Sequence, residues 1–251
     1  MKGKVYLVGA GPGAPDLLTL RAARLLERAD IVFHDALVNP EILALAATAQ
    51  KIPVGKRCGR HSTAQKFINK RLVDAASTHE VVVRLKGGDP MLFGRAQEEI
   101  DALNTAGVAC EVIPGVTSAL AASADLATSL TRRGVSRSVS FVTPRYGKGE
   151  EPGNWVRAAL AADTAVIYMG VGEAPRLSAA LIEAGKPATT PVTIVENASL
   201  ANSSYVAGTL GELPRLAELG TGGPALILIG EVYREIVPVE KHTPRYASAL
   251  A

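Results

Sequence analysis

Short runs of β-branched and aliphatic residues alternate, through the first half of the chain, with longer stretches whose apolar residues recur at helical spacing. The runs predicted to be strands are Lys4–Gly9, residues 30–34, 51–54 and 80–85, and Ala109–Ile113. Neighbouring parallel strands need a crossover connection, which is usually a helix. The alternation therefore predicts a mostly parallel sheet with helices on both faces.

The second half of the chain resumes the alternation with a different spacing. Its last three predicted strands are residues 191–196, 205–209 and 225–229, with a helix between the last two. A chain of 251 residues is long enough for two domains that each bury a core. We therefore predict two α/β domains in tandem, residues 1–114 and 115–240, with a hinge at Pro114-Gly115 and a peripheral tail at residues 241–251.

Polar residues in front of apolar periodic stretches predict where two helices begin. Asp16 is predicted to cap a helix that runs to about Ala29, and Ser62 to cap one over residues 63–77. A third helix is predicted over residues 95–106, ended by Gly107. Arg95 and Glu98, three residues apart on that helix, would then share one side of it.

Composition and targeting signals favour a cytoplasmic protein that is not a general nucleic-acid binder. No apolar run approaches the ~20 residues that span a bilayer, and the first residues lack the apolar stretch of a signal peptide. Cys58 and Cys110 follow no metal spacing, and a disulfide between them is not expected. A net charge of +3 is too small for a general nucleic-acid binder.

Three glycine-rich loops follow predicted strands, at residues 9–13, 87–90 and 169–172. In doubly wound sheets, ligands bind beyond the carboxyl ends of the strands. One such loop alone is a weak signal, whereas three of them predict a shared ligand site.

The chemistry of the first loop argues against a phosphate ligand. Gly9, Gly11 and Ala14 approximate the dinucleotide pattern, but Pro12 and Pro15 each remove an amide donor. Asp16 would also put a carboxylate where a pyrophosphate needs a positive helix terminus. Asp35 stands at a tolerable distance for a ribose contact, so NAD stays an alternative. No lysine followed by serine or threonine ends a glycine loop, which disfavours a nucleoside triphosphate. A ligand without phosphates, such as S-adenosylmethionine (SAM), suits these loops better.

Motifs along nearly the whole chain resemble the uroporphyrinogen-III C-methyltransferases, within the wider tetrapyrrole methylase family. In chain order they are Val8-Gly9-Ala10-Gly11-Pro12-Gly13, Asp16-Leu17-Leu18-Thr19, His34-Asp35-Ala36-Leu37-Val38, Gly55-Lys56-Arg57 with Gln65 and Asn69, Arg84-Leu85-Lys86-Gly87-Gly88-Asp89-Pro90, Phe93-Gly94-Arg95 with Glu98 and Glu99, Ile113-Pro114-Gly115-Val116-Thr117-Ser118-Ala119, Tyr168-Met169-Gly170, and Gly223-Pro224-Ala225.

The resemblance implies two α/β domains with SAM bound in a cleft between them, usually in a homodimer. It implies methylation of uroporphyrinogen III at two pyrrole carbons, giving precorrin-1 and then precorrin-2 with S-adenosylhomocysteine (SAH), in sirohaem or cobalamin biosynthesis. The SAM contacts that it implies are Pro12, Gly87, Gly88, Asp89, Leu92, Thr117, Ser118 and Met169, and further Asn197, Ala198, Pro224 and Ala225.

On the substrate side, the resemblance assigns Arg95, Glu98 and Arg133 to tetrapyrrole binding and proton handling. A polycarboxylate substrate needs a basic site, and arginine binds carboxylates through paired hydrogen bonds. The alternative for Arg95 and Glu98 is a surface ion pair. The basic residues cluster at Lys56, Arg57, Arg60 and His61, at Arg132, Arg133 and Arg137, and at Arg145 and Lys148.

No metal is expected, because the four histidines (His34, His61, His79 and His242) form no ligand pattern. The chain departs from the family pattern at Arg132 and at Pro144-Arg145, where relatives commonly carry a histidine. The open alternatives are a methylase of a later precorrin, a diphthine synthase, and a non-catalytic regulator that binds SAM or a nucleotide.

Overall fold

The computed structural model describes residues 3–55, 65–147 and 153–236. The chain divides into two compact units, with the boundary between Thr117 and Ser118. Each unit contains one five-stranded sheet and its helices, which confirms the predicted pair of α/β folds. The predicted cap Ser62, the cluster from Lys56 to His61, Lys148 and the predicted tail lie outside the described residues.

The sheet of the first unit is entirely parallel, with strand order β3-β2-β4-β1-β5. Its strands are β1 (Lys4–Gly9), β2 (Ile31–His34), β3 (Gln50–Pro53), β4 (Val81–Lys86) and β5 (Ala109–Ile113). Its helices are α1 (Leu20–Leu26), α2 (Pro40–Ala44), α3 (Gln65–Ala75) and α4 (Ala96–Thr105).

Alternate residues of each strand face two different cores, as the twofold periodicity of a strand requires. Val82 of β4 packs in the core that α3 and α4 close, with Leu72 and Leu103. Val83 packs in the opposite core, which α1 and α2 close. The sheet is therefore covered on both faces, as the alternation predicts.

The predicted start of the first helix is wrong. Asp16 lies in a short 3-10 turn (Pro15–Leu17), and α1 begins only at Leu20. The residue that caps α1 is Thr19, whose side-chain oxygen accepts a hydrogen bond from the amide of Ala22. Pro15 fixes the backbone for the turn and delays the helix by about one turn, so Asp16 is not at the helix terminus. The carboxylate of Asp16 therefore does not occupy the helix terminus where a pyrophosphate would bind.

The sheet of the second unit is mixed, with strand order β6-β7-β10-β8-β9 and only the β6–β7 pair parallel. Its strands are β6 (Val139–Val142), β7 (Thr164–Tyr168), β8 (Pro191–Glu196), β9 (Ser204–Thr209) and β10 (Ala225–Gly230). Its helices are α5 (Ser118–Asp125), α6 (Trp155–Ala161), α7 (Ala174–Glu183) and α8 (Leu213–Glu218).

The two faces of this second sheet are also buried. Helices α6, α7 and α8 pack on one face, where Leu177 and Leu213 are fully buried. Helix α5 packs on the other face with Tyr233. Among the described residues, no helix combines the length and the apolar character needed to cross a membrane.

Candidate active site

The loops after β1 and β4 meet at the topological switch point of the first sheet, where the connections from neighbouring strands leave on opposite faces. These strands are neighbours, and the chain leaves β1 toward α1 on one face and β4 toward α4 on the other. The amide of Gly88 donates to the carbonyl of Gly11 at 2.7 Å, and the amide of Gly11 donates to the carbonyl of Gly88 at 3.2 Å. A switch point of this kind is where doubly wound sheets bind ligands.

The end of β5 joins these two loops through close backbone packing. A Cβ atom on Gly9 would stand 2.6 Å from the Cα of Gly115 and 2.7 Å from the carbonyl oxygen of Gly88. The carboxylate of Asp89 accepts hydrogen bonds from the amide of Gly115 at 2.9 Å and from that of Met91 at 2.8 Å. Three strand ends are thereby fixed as one rigid edge.

This edge leaves open space above the loop that follows β4. A Cβ on Gly88 would meet no atom within 4 Å, and one on Gly87 would meet only the side chain of Leu37, at 3.8 Å. Pro12, Leu92 and Thr117 are each partly exposed. The predicted cofactor residues of the first unit therefore come from loops that meet at the carboxyl edge of the sheet, and the bare backbone at Gly87 and Gly88 admits the close approach of a ligand.

Arg95 and Glu98 form a two-bond ion pair at the start of α4. The Nε and Nη2 atoms of Arg95 donate to the two carboxylate oxygens of Glu98 at 2.7 and 2.8 Å. Arg95 is the N-cap of α4 in a left-handed conformation (φ 55°), so the helix begins one residue later than predicted. The hydrogen bond from Arg95 lowers the pKa of Glu98, so its carboxylate is ionised at neutral pH. Both side chains are about half exposed.

Beneath this pair lies a buried polar cluster that sequence reasoning missed. The carboxylate of Glu99 is fully buried and binds Arg84 at 3.0 Å and Lys86 at 3.0 Å. Arg84 also pairs with Asp35. Burial and the charge of Arg84 lower the pKa of Lys86, against the opposing carboxylates. The sequence signal for such a cluster is a charged residue within a predicted strand of otherwise apolar residues, because a charge that becomes buried there needs a partner.

In the second unit, the predicted residues gather at one edge of the sheet. Met169 follows β7, Asn197 follows β8, and Pro224 precedes β10, which runs antiparallel between them. The amide of Asn197 donates to the carbonyl of Pro224 at 2.8 Å. Met169 and Asn197 both have left-handed backbones (φ 55° and 53°), and the side chain of Met169 is 42% exposed.

Buried Glu196 organises the turn that leads into Pro224. Its carboxylate accepts hydrogen bonds from the amides of Thr221, at 2.9 Å, and Gly223. A cavity of about 180 Å³ beside this turn is lined in part by Glu196, Gly223 and Ala225. Ala198 is buried next to Asn197, whereas Ser118 begins α5 and is partly exposed.

Arg133 lies in an exposed turn that an Arg132–Ser136 backbone bridge closes. Arg132 is paired with Glu235 at 3.1 Å, and Arg145 is exposed. The described part of the chain contains no group of three or more His, Cys, Asp or Glu side chains able to hold a metal ion. A larger cavity of about 520 Å³, lined in part by Thr128, Arg132 and Ile236, touches none of the predicted site residues.

Known proteins match this chain over most of its length. Residues 4–214 match the family described as Tetrapyrrole (Corrin/Porphyrin) Methylases. The chain is 44% identical to the uroporphyrinogen-III C-methyltransferase of Pseudomonas aeruginosa, over 94% of this chain and 97% of that protein. It is 47% identical to the siroheme synthase of Psychrobacter cryohalolentis, over 92% of this chain but 44% of that protein. The chain thus spans about half the length of the siroheme synthases that it matches.

A solved structure agrees with the fold. The uroporphyrin-III C-methyltransferase of Thermus thermophilus, in complex with S-adenosylhomocysteine, aligns with a TM-score of 0.82 and 40% identity, over 92% of this chain and 99% of that chain. The family match, the shared fold and the loops at the strand ends agree with one another: the chain belongs to the tetrapyrrole (corrin/porphyrin) methylases.

Proposed function

We propose that this chain transfers methyl groups from SAM to two pyrrole carbons of uroporphyrinogen III, giving precorrin-1, then precorrin-2, and SAH. The observation that carries the proposal is the loop from Gly87 to Arg95. Within nine residues it presents the open glycine backbone proposed for the cofactor and the arginine proposed for the tetrapyrrole. Identity of 44% over 97% of a named uroporphyrinogen-III C-methyltransferase supports the substrate.

SAM, when bound, supplies a methyl group on a positively charged sulfur, which is already a strong electrophile. We assign its binding in the first unit to Pro12, Gly87, Gly88, Asp89, Leu92 and Thr117. In the second unit we assign it to Ser118, Met169, Asn197, Ala198, Pro224 and Ala225. Both carboxylate oxygens of Asp89 accept backbone amides, so Asp89 also shapes the loop that would contact the cofactor.

The protein's part in the reaction is to hold the macrocycle, exclude water and assist loss of a proton from the methylated macrocycle. Arg95 and Arg133 bind substrate carboxylates, since guanidinium is permanently charged and forms paired hydrogen bonds. An arginine is a poor general base for the same reason. Glu98, ionised at neutral pH, orients Arg95; we assign it as the proton acceptor, although the hydrogen bond that lowers its pKa also makes it a weaker base.

The direct test is incubation of the protein with freshly prepared uroporphyrinogen III and SAM labelled in the methyl group. Two labelled methyls gained per macrocycle support the proposal. If each macrocycle gains a single methyl, or if the protein methylates only a later precorrin, the protein is a different methylase of the family. SAH binding without any turnover would favour the non-catalytic regulator.

A matched pair of variants tests the role of Arg95. Arg95→Ala should abolish turnover while calorimetry still detects SAH binding. Arg176→Ala is the control, because Arg176 forms an ion pair with Glu173, three residues away, at the start of α7. Loss of SAH binding in Arg95→Ala would show that Arg95 serves the cofactor and not the tetrapyrrole.

We further propose that the protein is a cytoplasmic homodimer that binds neither nucleic acid nor membrane. The net charge of +3 and the family resemblance support this proposal. Sedimentation at micromolar concentration should give twice the mass of the 26.1 kDa chain. A sedimenting mass equal to that of one chain would contradict the dimer.

A further inference from the structure

The segment in front of α4 is held in a conformation that ordinary residues avoid. Phe93 and Arg95 both have left-handed backbones, with φ of 54° and 55°. Such a conformation is strained for a residue other than glycine and persists only where its surroundings impose it. Arg95 is also the residue proposed to bind the tetrapyrrole, so its placement depends on whatever fixes the start of α4.

Glu99, in the first turn of α4, is fixed from the core side by three donors. Its Oε1 atom accepts from Arg84 at 3.0 Å, from Lys86 at 3.2 Å and from Gln65 at 3.1 Å. Its Oε2 atom accepts from Lys86 at 3.0 Å. These donors come from β4 and from α3, so one carboxylate ties the helix to two other elements.

A second contact holds the same turn through its backbone. The side-chain amide of Asn69, on α3, donates to the carbonyl oxygen of Glu98 at 2.9 Å. Gln65 in turn donates to the side-chain oxygen of Asn69 at 3.0 Å. The helix turn that carries the Arg95–Glu98 pair on its exposed side is therefore held by polar contacts on its inner side.

We propose that Gln65, Asn69, Arg84, Lys86 and Glu99, here called the Glu99 cluster, are positioning residues that fix the Arg95–Glu98 pair for the tetrapyrrole. This inference rests on the proposed function and extends it to residues that touch neither substrate nor cofactor. Their effect on the reaction is exerted through the start of α4.

The charged residues at this position favour a role in positioning α4 over a role in stability alone. Apolar residues of similar size often hold a buried site at least as stably as an ion pair does. Apolar contacts, however, have no preferred direction, whereas the Oε1 atom of Glu99 accepts three hydrogen bonds from three different side chains. Asp35, which pairs with Arg84 from outside the cluster, balances the remaining positive charge of Arg84 and Lys86.

The test uses Asn69→Ala, because Asn69 is partly exposed and its loss leaves the buried ions in place. Gln97→Ala is the control, since Gln97 is exposed on α4 and its side chain donates to Asp101 of the same helix. For Asn69→Ala we expect kcat/KM for uroporphyrinogen III to fall at least about tenfold, with the dissociation constant of SAH within about twofold of the parent value. Gln97→Ala should match the parent in both.

A readout that needs no turnover separates this inference from the proposed function. Carbon-13 NMR of the Glu98 carboxyl reports its pKa, which the hydrogen bond from Arg95 holds low. In Asn69→Ala that pKa should rise toward the usual glutamate range, and in Gln97→Ala it should stay low. If the parent protein fails to methylate uroporphyrinogen III, the proposed function fails, while the titration still decides the role of the cluster.

A double-mutant cycle with Glu98→Gln checks that Asn69 acts through the pair. When two residues act through one element, the second substitution adds little to the first, whereas independent effects multiply. If the fold-loss in kcat/KM of the double variant equals the product of the two single losses, the proposal is overturned. A parallel loss of thermal stability, SAH affinity and turnover in Asn69→Ala would also overturn it, because that result describes a merely structural residue.

Discussion

Gly115 packs directly against Gly9: a Cβ atom on Gly115 would stand 2.9 Å from the Cα of Gly9 and would overlap the carbonyl oxygen of Gly88. The atoms in the way are backbone atoms of β1 and of the loop after β4, which cannot rotate aside as a side chain can. The contact holds the ends of three strands together at the edge where we place the cofactor.

Gly115→Ala should therefore destabilise the protein and disturb its cofactor loops together. Overpacking of this kind costs typically 1–3 kcal/mol. We expect a lower urea midpoint and a weaker affinity for SAH. Gly153→Ala is the control, because a Cβ there meets nothing within 4 Å. Equal midpoints for the two variants would show that the strand ends are looser than the structure has them.

Gly87→Ala should separate binding from folding. A methyl group at this exposed position meets only the Leu37 side chain, at 3.8 Å, so the fold should tolerate it. The same methyl group would fill the space proposed for SAM. We expect an unchanged melting temperature with SAH affinity at least about tenfold weaker, which corresponds to ~1.4 kcal/mol. Unaltered affinity would remove Gly87 from the proposed cofactor contacts.

The sequence predicts the strands well because burial and periodicity are local signals. Lys4–Gly9, Ala109–Ile113 and Pro191–Glu196 have the predicted bounds. The loops at the strand ends follow from the same signal, since parallel strands bring their carboxyl ends to one edge. The mixed pairing of the second sheet is different, because pairing direction depends on contacts between distant segments.

The Glu99 cluster escapes sequence reasoning for a related reason. Glu98 and Glu99 are adjacent acidic residues of one helix, yet Glu98 is exposed and Glu99 is fully buried. Only the position of α4 against β4 and α3 distinguishes the two. Asp16 and Thr19 show the same limit at a helix start, where both residue types are good caps and the turn that Pro15 begins decides between them.

Thr19→Ala should weaken α1 measurably, because it removes the side-chain oxygen that accepts the Ala22 amide. Loss of an N-cap costs typically about 1 kcal/mol in the free energy of unfolding. Asp16→Ala is the matched comparison and should cost less, since Asp16 lies outside α1 in the preceding 3-10 turn. Chemical denaturation measures the free energy of unfolding of both variants. A greater loss in Asp16→Ala than in Thr19→Ala would show that Asp16 caps the helix.

The Arg95–Glu98 pair should respond to acid in a defined direction. The folded protein holds the pKa of Glu98 below the usual glutamate range, chiefly through the hydrogen bond from Arg95. The pair therefore contributes to stability above the pKa of glutamate in the unfolded chain, and this contribution is lost as pH falls through the lowered folded value.

NMR titration of the Glu98 carboxyl should show this lowered pKa, and Arg95→Ala should raise it toward the usual range. Arg176→Ala should leave it unchanged, since Arg176 pairs with Glu173 in the second unit. If the pKa of Glu98 is the same in Arg95→Ala as in the parent protein, the pair does not form in solution.

Glu196→Gln should loosen the turn before β10 and weaken cofactor binding with it. The carboxylate is buried and accepts the amides of Thr221 and Gly223, and an amide side chain keeps only one accepting oxygen while turning an NH2 group toward backbone donors. Leaving a buried donor without its acceptor costs about 1–3 kcal/mol. Because the turn carries Pro224, whose carbonyl holds the Asn197 amide, SAH affinity should fall as well.

Glu212→Gln provides the control at the opposite end of the same strand pair. Glu212 likewise accepts two hydrogen bonds, from the amide and the hydroxyl of Thr209 at 2.9 Å each. Thr209 pairs with Pro191 at the start of β8, whereas Glu196 ends that strand. Glu212→Gln should therefore lower stability without changing SAH affinity, as measured by calorimetry beside thermal denaturation. If both variants weaken SAH in proportion to their lost stability, the loss reflects general loosening of the second unit, and the turn before β10 has no specific part in binding the cofactor.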